Sequence, residues 1–276
     1  MTVEKSAVFY YYIYMQRKRE RAGQPDREPK TSWGSHARWY SKVVEERGSY
    51  QKEVILPGVL GLLDLKSGED VLDLACGEGF FSREFHDRGA NVLGVDAGAG
   101  LIDIAKKKSS KDIIYKVADA RNLSFINDGA FGAAVIILAL QNIDDINSVF
   151  KEMKRVLKKA GRMVLVLNHP VLRIPKFSGW GWDEGQSLQY RKINRYMTEL
   201  KVPIEMHPGE NKKEITWSFH RPLQSYFKAL KGAGFVICDV SEWVSHKKSQ
   251  RGPKANAEDL AREEFPLFMA IKAIAL

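Results

Sequence analysis

The densest chemistry in this sequence lies in Asp73-Leu-Ala-Cys-Gly-Glu-Gly79, followed at a distance by Asp96 and Asp119. Glycines at a turn let a ligand approach the backbone, and a helix that begins there offers free N–H groups. An ionised carboxylate at Asp96 presents two acceptor oxygens, which suits the paired hydroxyls of a ribose. Asp119, in Val117-Ala-Asp-Ala120, is a second acid suited to an exocyclic adenine amine. Ala75 replaces the first glycine of a dinucleotide fingerprint, and Asp73 stands inside the turn. A carboxylate there repels a pyrophosphate and attracts an ammonium or a sulfonium, so the constellation prefers a cationic nucleoside to NAD. Taken singly, each residue has a plain structural reading as a cap, a turn or a loop start. Their register along successive elements is what points to a site. Cys76, with no base near it in sequence, reads as a small turn residue rather than a nucleophile.

Residues so placed need strands that end where they stand. Strand-like runs recur at Asp70 to Leu74, Asn91 to Val95, Ile113 to Val117, Gly132 to Leu138 and Gly161 to Leu167. Helical patterns at Gly79 to Arg88, Leu101 to Ser109 and Ile146 to Leu157 lie between most of them. Another helix, Glu53 to Leu65, precedes the series, and a helix at Pro222 to Ala233 leads to strands at Phe235 to Val240 and Leu267 to Ala273. This alternation predicts an α/β fold, a doubly wound sheet of seven strands with helices on both faces, closed by a C-terminal hairpin.

The Ala-x-Gly-x-Gly turn, the spacing of Asp73, Asp96 and Asp119, and the seven strands together resemble the class I S-adenosylmethionine-dependent methyltransferases, over roughly residues 53–167 and 222–276. The resemblance implies a Rossmann-like sheet with its last strand antiparallel and S-adenosyl-L-methionine at the strand C-termini. It implies that Asp73, Ala75 and Gly77 line the methionine end, with Gly79 also binding the cofactor, that Asp96 holds the ribose and Asp119 the adenine amine, and that Ala97, Ile102 and Ala120 wall the adenine. It further places Leu138 and Gln141, with Asn142, beside the methionine and the transferring methyl, and makes Tyr40 and Tyr50 tyrosines of an N-terminal lid. Ala160 stands where glycine is common in that family.

The acceptor half falls to the segments the core does not use: 1–65, read as an extension and helical lid, and the insertion 168–222 within a methyltransferase domain of 66–276. His169, directly after the fifth strand, is the first candidate for a general base. Gln189 to Tyr196 and Lys213 to His220 read as a strand pair linked through Pro208-Gly209, an antiparallel hairpin covering the cleft. Tyr190, His220 and Arg221 are its candidate cleft residues, and Trp180, Trp182 and Trp217 offer an apolar or cation-binding wall.

Bulk composition bounds these readings. The chain has 276 residues, 44% hydrophobic and 28% charged, which excludes a wholly disordered or polytopic membrane protein. The apolar run Ala7 to Met15 is nine residues, too short to cross a bilayer, and its basic cluster follows it, unlike a signal peptide. Cys76 and Cys238, 162 residues apart, form no disulfide framework and fit a reducing, cytoplasmic setting. No His, Cys and carboxylate cluster has ligand spacing, so no metal is expected. The net charge of +9 raises RNA as an acceptor, but the fourth strand lacks the Asn/Asp-Pro-Pro-aromatic turn of base-amine methylation. Residues 1–32 and 168–222 each carry +3, and the late cluster Lys247, Lys248, Arg251 and Lys254 reads as a solvated loop. A small, anionic acceptor therefore fits better than RNA. A binding module without turnover is the alternative that is not an enzyme.

Overall fold

A computed structural model describes residues 48–205 and 215–276. The first 47 residues, with Tyr40 and most of the expected lid, and the Pro208-Gly209 link lie outside the described residues. Seven strands form one sheet: β1 (Asp70–Leu74), β2 (Asn91–Asp96), β3 (Ile114–Val117), β4 (Phe131–Ile137), β5 (Leu157–Asn168), β10 (Phe235–Trp243) and β11 (Phe268–Ala275). Their order is β10-β11-β5-β4-β1-β2-β3, parallel except for β11, which runs antiparallel to both β5 and β10. The expected α/β sheet and its C-terminal hairpin are both present.

Burial on both faces explains the strand composition. In β4, Ala133-Ala-Val-Ile-Ile137 is buried throughout, as a central parallel strand requires. Period-two alternation sends Leu72, Leu74 and Ile136 into one layer with α4 (Ile146–Val156) and α5 (Leu223–Gly232). It sends Val71, Ala133 and Val135 into the other, against α1 (Leu56–Leu63), α2 (Phe80–His86) and α3 (Ala99–Lys108). The turn Gln51–Ile55 that opens α1 is π-helical, with the Leu56 N–H donating to Gln51 O, just before Pro57, which has no N–H to give. Ala160 has φ +60, the left-handed conformation for which glycine is the usual choice.

The insert departs from expectation. It forms two hairpins, β6 (Ser178–Asp183) with β7 (Leu188–Ile193), and β8 (Leu200–Glu205) with β9 (Ile215–His220). The two segments expected to pair with each other instead pair with their sequence neighbours, because short hairpins close at lower entropic cost. Trp180 and Trp182 thus lie on a strand. A further helix, α6 (Ala255–Glu264), follows the basic loop and was not anticipated. Among the described residues no helix is long and apolar enough to cross a membrane.

Candidate functional site

The chain runs β1, β2, β3 outward in one direction and β4, β5 in the other, so the strand order reverses between β1 and β4. Ligands of open α/β sheets bind at the carboxyl ends of strands at such a point. The Asp73–Gly79 turn leaves β1 there. Ala75, Gly77 and Gly79 all hold positive φ (59°, 58° and 83°), and Leu138, at the end of β4, holds φ +54. Glycine takes this backbone freely; alanine and leucine do so at a cost of about 1–2 kcal/mol, and such strain clusters at functional sites.

Asp96 ties the turn together. Its Oδ2 accepts from Gly77 N (2.9 Å) and its Oδ1 from Gly98 N (2.7 Å), which leaves each oxygen a further lone pair. Burial raises its pKa, and the two backbone donors oppose the shift. Asp73 is buried and accepts from Ser82 Oγ at 2.6 Å. Burial first, and the charge of Asp96 second, push its carboxyl up to about 7, against the bond from Ser82. No cation pairs with either acid among the described residues. Cys76 is buried with its thiol pushed up, as an inert turn residue should be.

On the adjoining turn after β4, Gln141 Nε2 donates to Leu138 O (2.7 Å), which fixes the amide and leaves Oε1 buried without a donor. Such an orphan acceptor in a folded protein calls for a partner. Asn142 follows it in the short 3-10 turn Leu140–Asn142.

Several expected residues sit differently. Ile102 is completely buried in the core and offers no surface for an adenine, whereas Ala97 is exposed and Ala120 lies at the core margin. Asp119 accepts from Arg121 through its backbone N–H, Nε and Nη2, the last at 2.7 Å, and this pairing lowers its pKa. An adenine amine would have to displace Arg121, which also reaches Asp144 (2.9 Å). Tyr50 shares a hydrogen bond with Ser245 (3.0 Å) and packs edge-on against Phe268 and His246. Tyr190 is half exposed, its ring over Gly181 on its own hairpin. Each tryptophan of the expected wall already holds a cation of this chain: Trp180 has Arg191, Trp182 has Lys254, and Trp217 has Lys201.

The two candidate histidines differ in how their ring nitrogens are used. His169 is buried; its Nδ1 accepts from Leu172 N (3.3 Å), so Nε2 carries the proton and donates to Glu242 (2.6 Å). With both ring nitrogens used, His169 pins the loop after β5. His169→Ala is expected to cost about 1–3 kcal/mol in chemical denaturation and to leave kcat nearly unchanged; loss of a general base would instead cost roughly a hundredfold or more. His220 Nε2 donates to Tyr196 O (2.7 Å), which leaves Nδ1 as the lone-pair nitrogen, and burial lowers its pKa so that the ring is neutral.

Sequence reasoning missed Arg121, Ser82 and Tyr115. Tyr115 lies over Gly94 and Gly79 so closely that a Cβ at Gly79 would come 2.4 Å from its hydroxyl. The signal was the pair of glycines, each leaving room for a large ring from a neighbouring element.

Comparison with known proteins agrees with this geometry. Residues 72–165 match the methyltransferase domain family. The chain is 36% identical over 115 residues to a demethylmenaquinone methyltransferase of Paenarthrobacter aurescens, covering 41% of this chain and 45% of that one. It is also 36% identical over 129 residues to that of Thermobifida fusca, covering 45% and 54%. The chain spans about half the length of these curated relatives. The crystal structure of an S-adenosylmethionine dependent methyltransferase from Mesorhizobium loti superposes with a TM-score of 0.64 at 26% identity, over 79% of this chain and 96% of that one. A Listeria monocytogenes structure, a putative S-adenosylmethionine dependent methyltransferase, gives 0.64 at 24%, over 80% and 96%, a likeness of fold. Sheet order, turn and these matches give the chain the fold of S-adenosylmethionine-dependent methyltransferases, with residues 72–165 matching a methyltransferase domain.

Proposed function

We propose that this protein transfers a methyl group from S-adenosylmethionine to a small organic acceptor. The observation that carries the reading is the pair of acids, Asp73 and Asp96, on a glycine turn at the switch point with no cation beside them among the described residues. A pyrophosphate would be repelled there, and a cationic nucleoside is attracted. Asp96 would accept from the ribose hydroxyls with its remaining lone pairs, Gln141 Oε1 from the ammonium, and Asp73 would lie near the methionine end of the ligand. When bound, the sulfonium supplies an activated methyl whose C–S bond breaks as the acceptor's lone pair forms the new bond, with the electron pair left on sulfur.

The chain's own contribution is positioning, exclusion of water and, where the acceptor is protonated, removal of a proton. His220 is the residue we assign to that proton, because its ring is neutral with Nδ1 free to accept. The insert hairpins would form the acceptor side of the cleft. The relatives named for demethylmenaquinone make a demethylated naphthoquinol the first acceptor to try, by attack from a ring carbon. The test is release of S-adenosylhomocysteine with label from the methyl group appearing in the acceptor, over a panel of naphthoquinols, phenols and small carboxylic acids. His220→Asn should cut kcat roughly a hundredfold or more while leaving S-adenosylhomocysteine affinity unchanged. Cofactor binding without turnover of any acceptor would favour a binding module, and salt-sensitive methylation of RNA would replace the small acceptor.

A further inference from the structure

Several arginines of the core are paired with carboxylates, and those of the insert are not. In the core, Arg83 pairs with Glu78, Arg121 with Asp119 and Asp144, Arg155 with Glu152 and Asp128, and Arg162 with Glu69. In the insert, Arg173, Arg191, Arg195 and Arg221 have no carboxylate partner among the described residues. Arg221 is the extreme case. It is 6% exposed, directly after β9 and before α5. Its Nη2 donates to the carbonyls of Ile143 (2.8 Å) and Asp144, on the turn that follows Gln141. Its guanidinium lies over the ring of Phe219 and beside the buried Tyr226 phenol, and its Nη1 is buried with no hydrogen-bond partner of good geometry among the described residues.

No carboxylate lies within ion-pair distance of the guanidinium among the described residues. The Asp144 carboxylate is held by Arg121, and Glu199 accepts from Ser225 Oγ (2.8 Å). A guanidinium stays charged at any working pH, and a buried one that no carboxylate contacts would be stabilised by an arriving anion. The planar fork suits a carboxylate, phosphate or phenolate oxygen better than a neutral group.

We infer that Arg221 is the anchor for an oxyanion on the methyl acceptor, and thus that the acceptor class is a small molecule carrying a carboxylate, phosphate or ionised phenol. This rests on the methyltransferase reading for the word acceptor, while the anion site itself does not. Titration calorimetry of the full chain with benzoate and with inorganic phosphate, benzamide as the neutral control, and S-adenosylhomocysteine separates the two. One of the anions should bind one-to-one and benzamide should not. Arg221→Gln should weaken that anion at least tenfold, Arg221→Lys less, and both should keep S-adenosylhomocysteine within about twofold of wild type.

Neither anion binding to wild type, or equal binding by Arg221→Gln, overturns the inference. So does a tenfold loss of S-adenosylhomocysteine affinity, which would assign the guanidinium to the carboxylate of the methionine moiety. Failure of wild type to bind S-adenosylhomocysteine sinks the methyltransferase reading instead, and the anion titrations still report on Arg221. Should Arg221→Gln not fold, the comparison passes to Arg221→Lys and to the wild-type Tm in phosphate against chloride at equal ionic strength. Phosphate must then raise Tm in wild type and raise it less in the lysine variant; equal Tm values in the two salts overturn the inference.

Discussion

Asp73→Asn is expected to stabilise the ligand-free protein and to weaken its binding of S-adenosylmethionine. In the folded protein the Asp73 carboxyl is pushed up to about 7, from an ordinary value of 3.8, because it is buried and faces Asp96. Between these two values the folded protein holds a proton that the unfolded chain has released. Stability therefore falls as pH rises through this window, by up to about 4 kcal/mol at its top. The amide cannot ionise, keeps an oxygen for Ser82, and removes the penalty. Chemical denaturation at about pH 5 and about pH 8 should show a fall in wild type and a nearly flat profile in Asp73→Asn. The same substitution removes the charge that faces the cationic ligand and should cost roughly ten- to a hundredfold in affinity, the worth of a charged contact. A variant with wild-type pH dependence would show that Asp73 is not the titrating group.

Asp96→Ala is the second large effect, and it works by another route. The carboxylate joins Gly77 to Gly98 across the mouth of the turn and, on our reading, also accepts from the ribose. Removing it should weaken S-adenosylmethionine by roughly 1.5–3 kcal/mol, about ten- to 150-fold. Asp96→Asn should fall between, because its amide N–H₂ must face one of the two backbone donors. Adenosine, which lacks the methionine moiety, should lose affinity in Asp96→Ala and keep it in Asp73→Asn. Equal losses for adenosine in both variants would contradict the division of labour between the two acids.

The sheet was legible because each of its strands is either a continuous apolar run, as in Ala133 to Ile137, or a run bounded by glycine and charge, as in Asn91 to Asp96. The turn was legible because its glycines and acids stand at strand ends. Ala75 and Ala160 add a subtler point, since both alanines occupy left-handed backbone where glycine was the expected residue. The insert was not legible in the same way. Ser178-Gly-Trp-Gly-Trp-Asp183 has two glycines and no buried face, so β6 has no apolar period to reveal it. α6 buries only Ala261 and reads as a patch of charge. Long-range partners were hidden too: Glu242 for His169 and Ile143 for Arg221 are 73 and 78 residues away, and no local pattern encodes them. Those partners decide which histidine has both ring nitrogens used and which arginine keeps an unpartnered donor among the described residues.

The most direct measurement is titration calorimetry of S-adenosylmethionine into the full chain at about pH 6.5, repeated in two buffers of unlike ionisation enthalpy. The expected result is saturable one-to-one binding with release of a proton, as Asp73 ionises against the bound cation, and no proton release in Asp73→Asn. Absence of saturable binding would contradict the assignment of the Asp73–Gly79 turn and Asp96 to this cofactor.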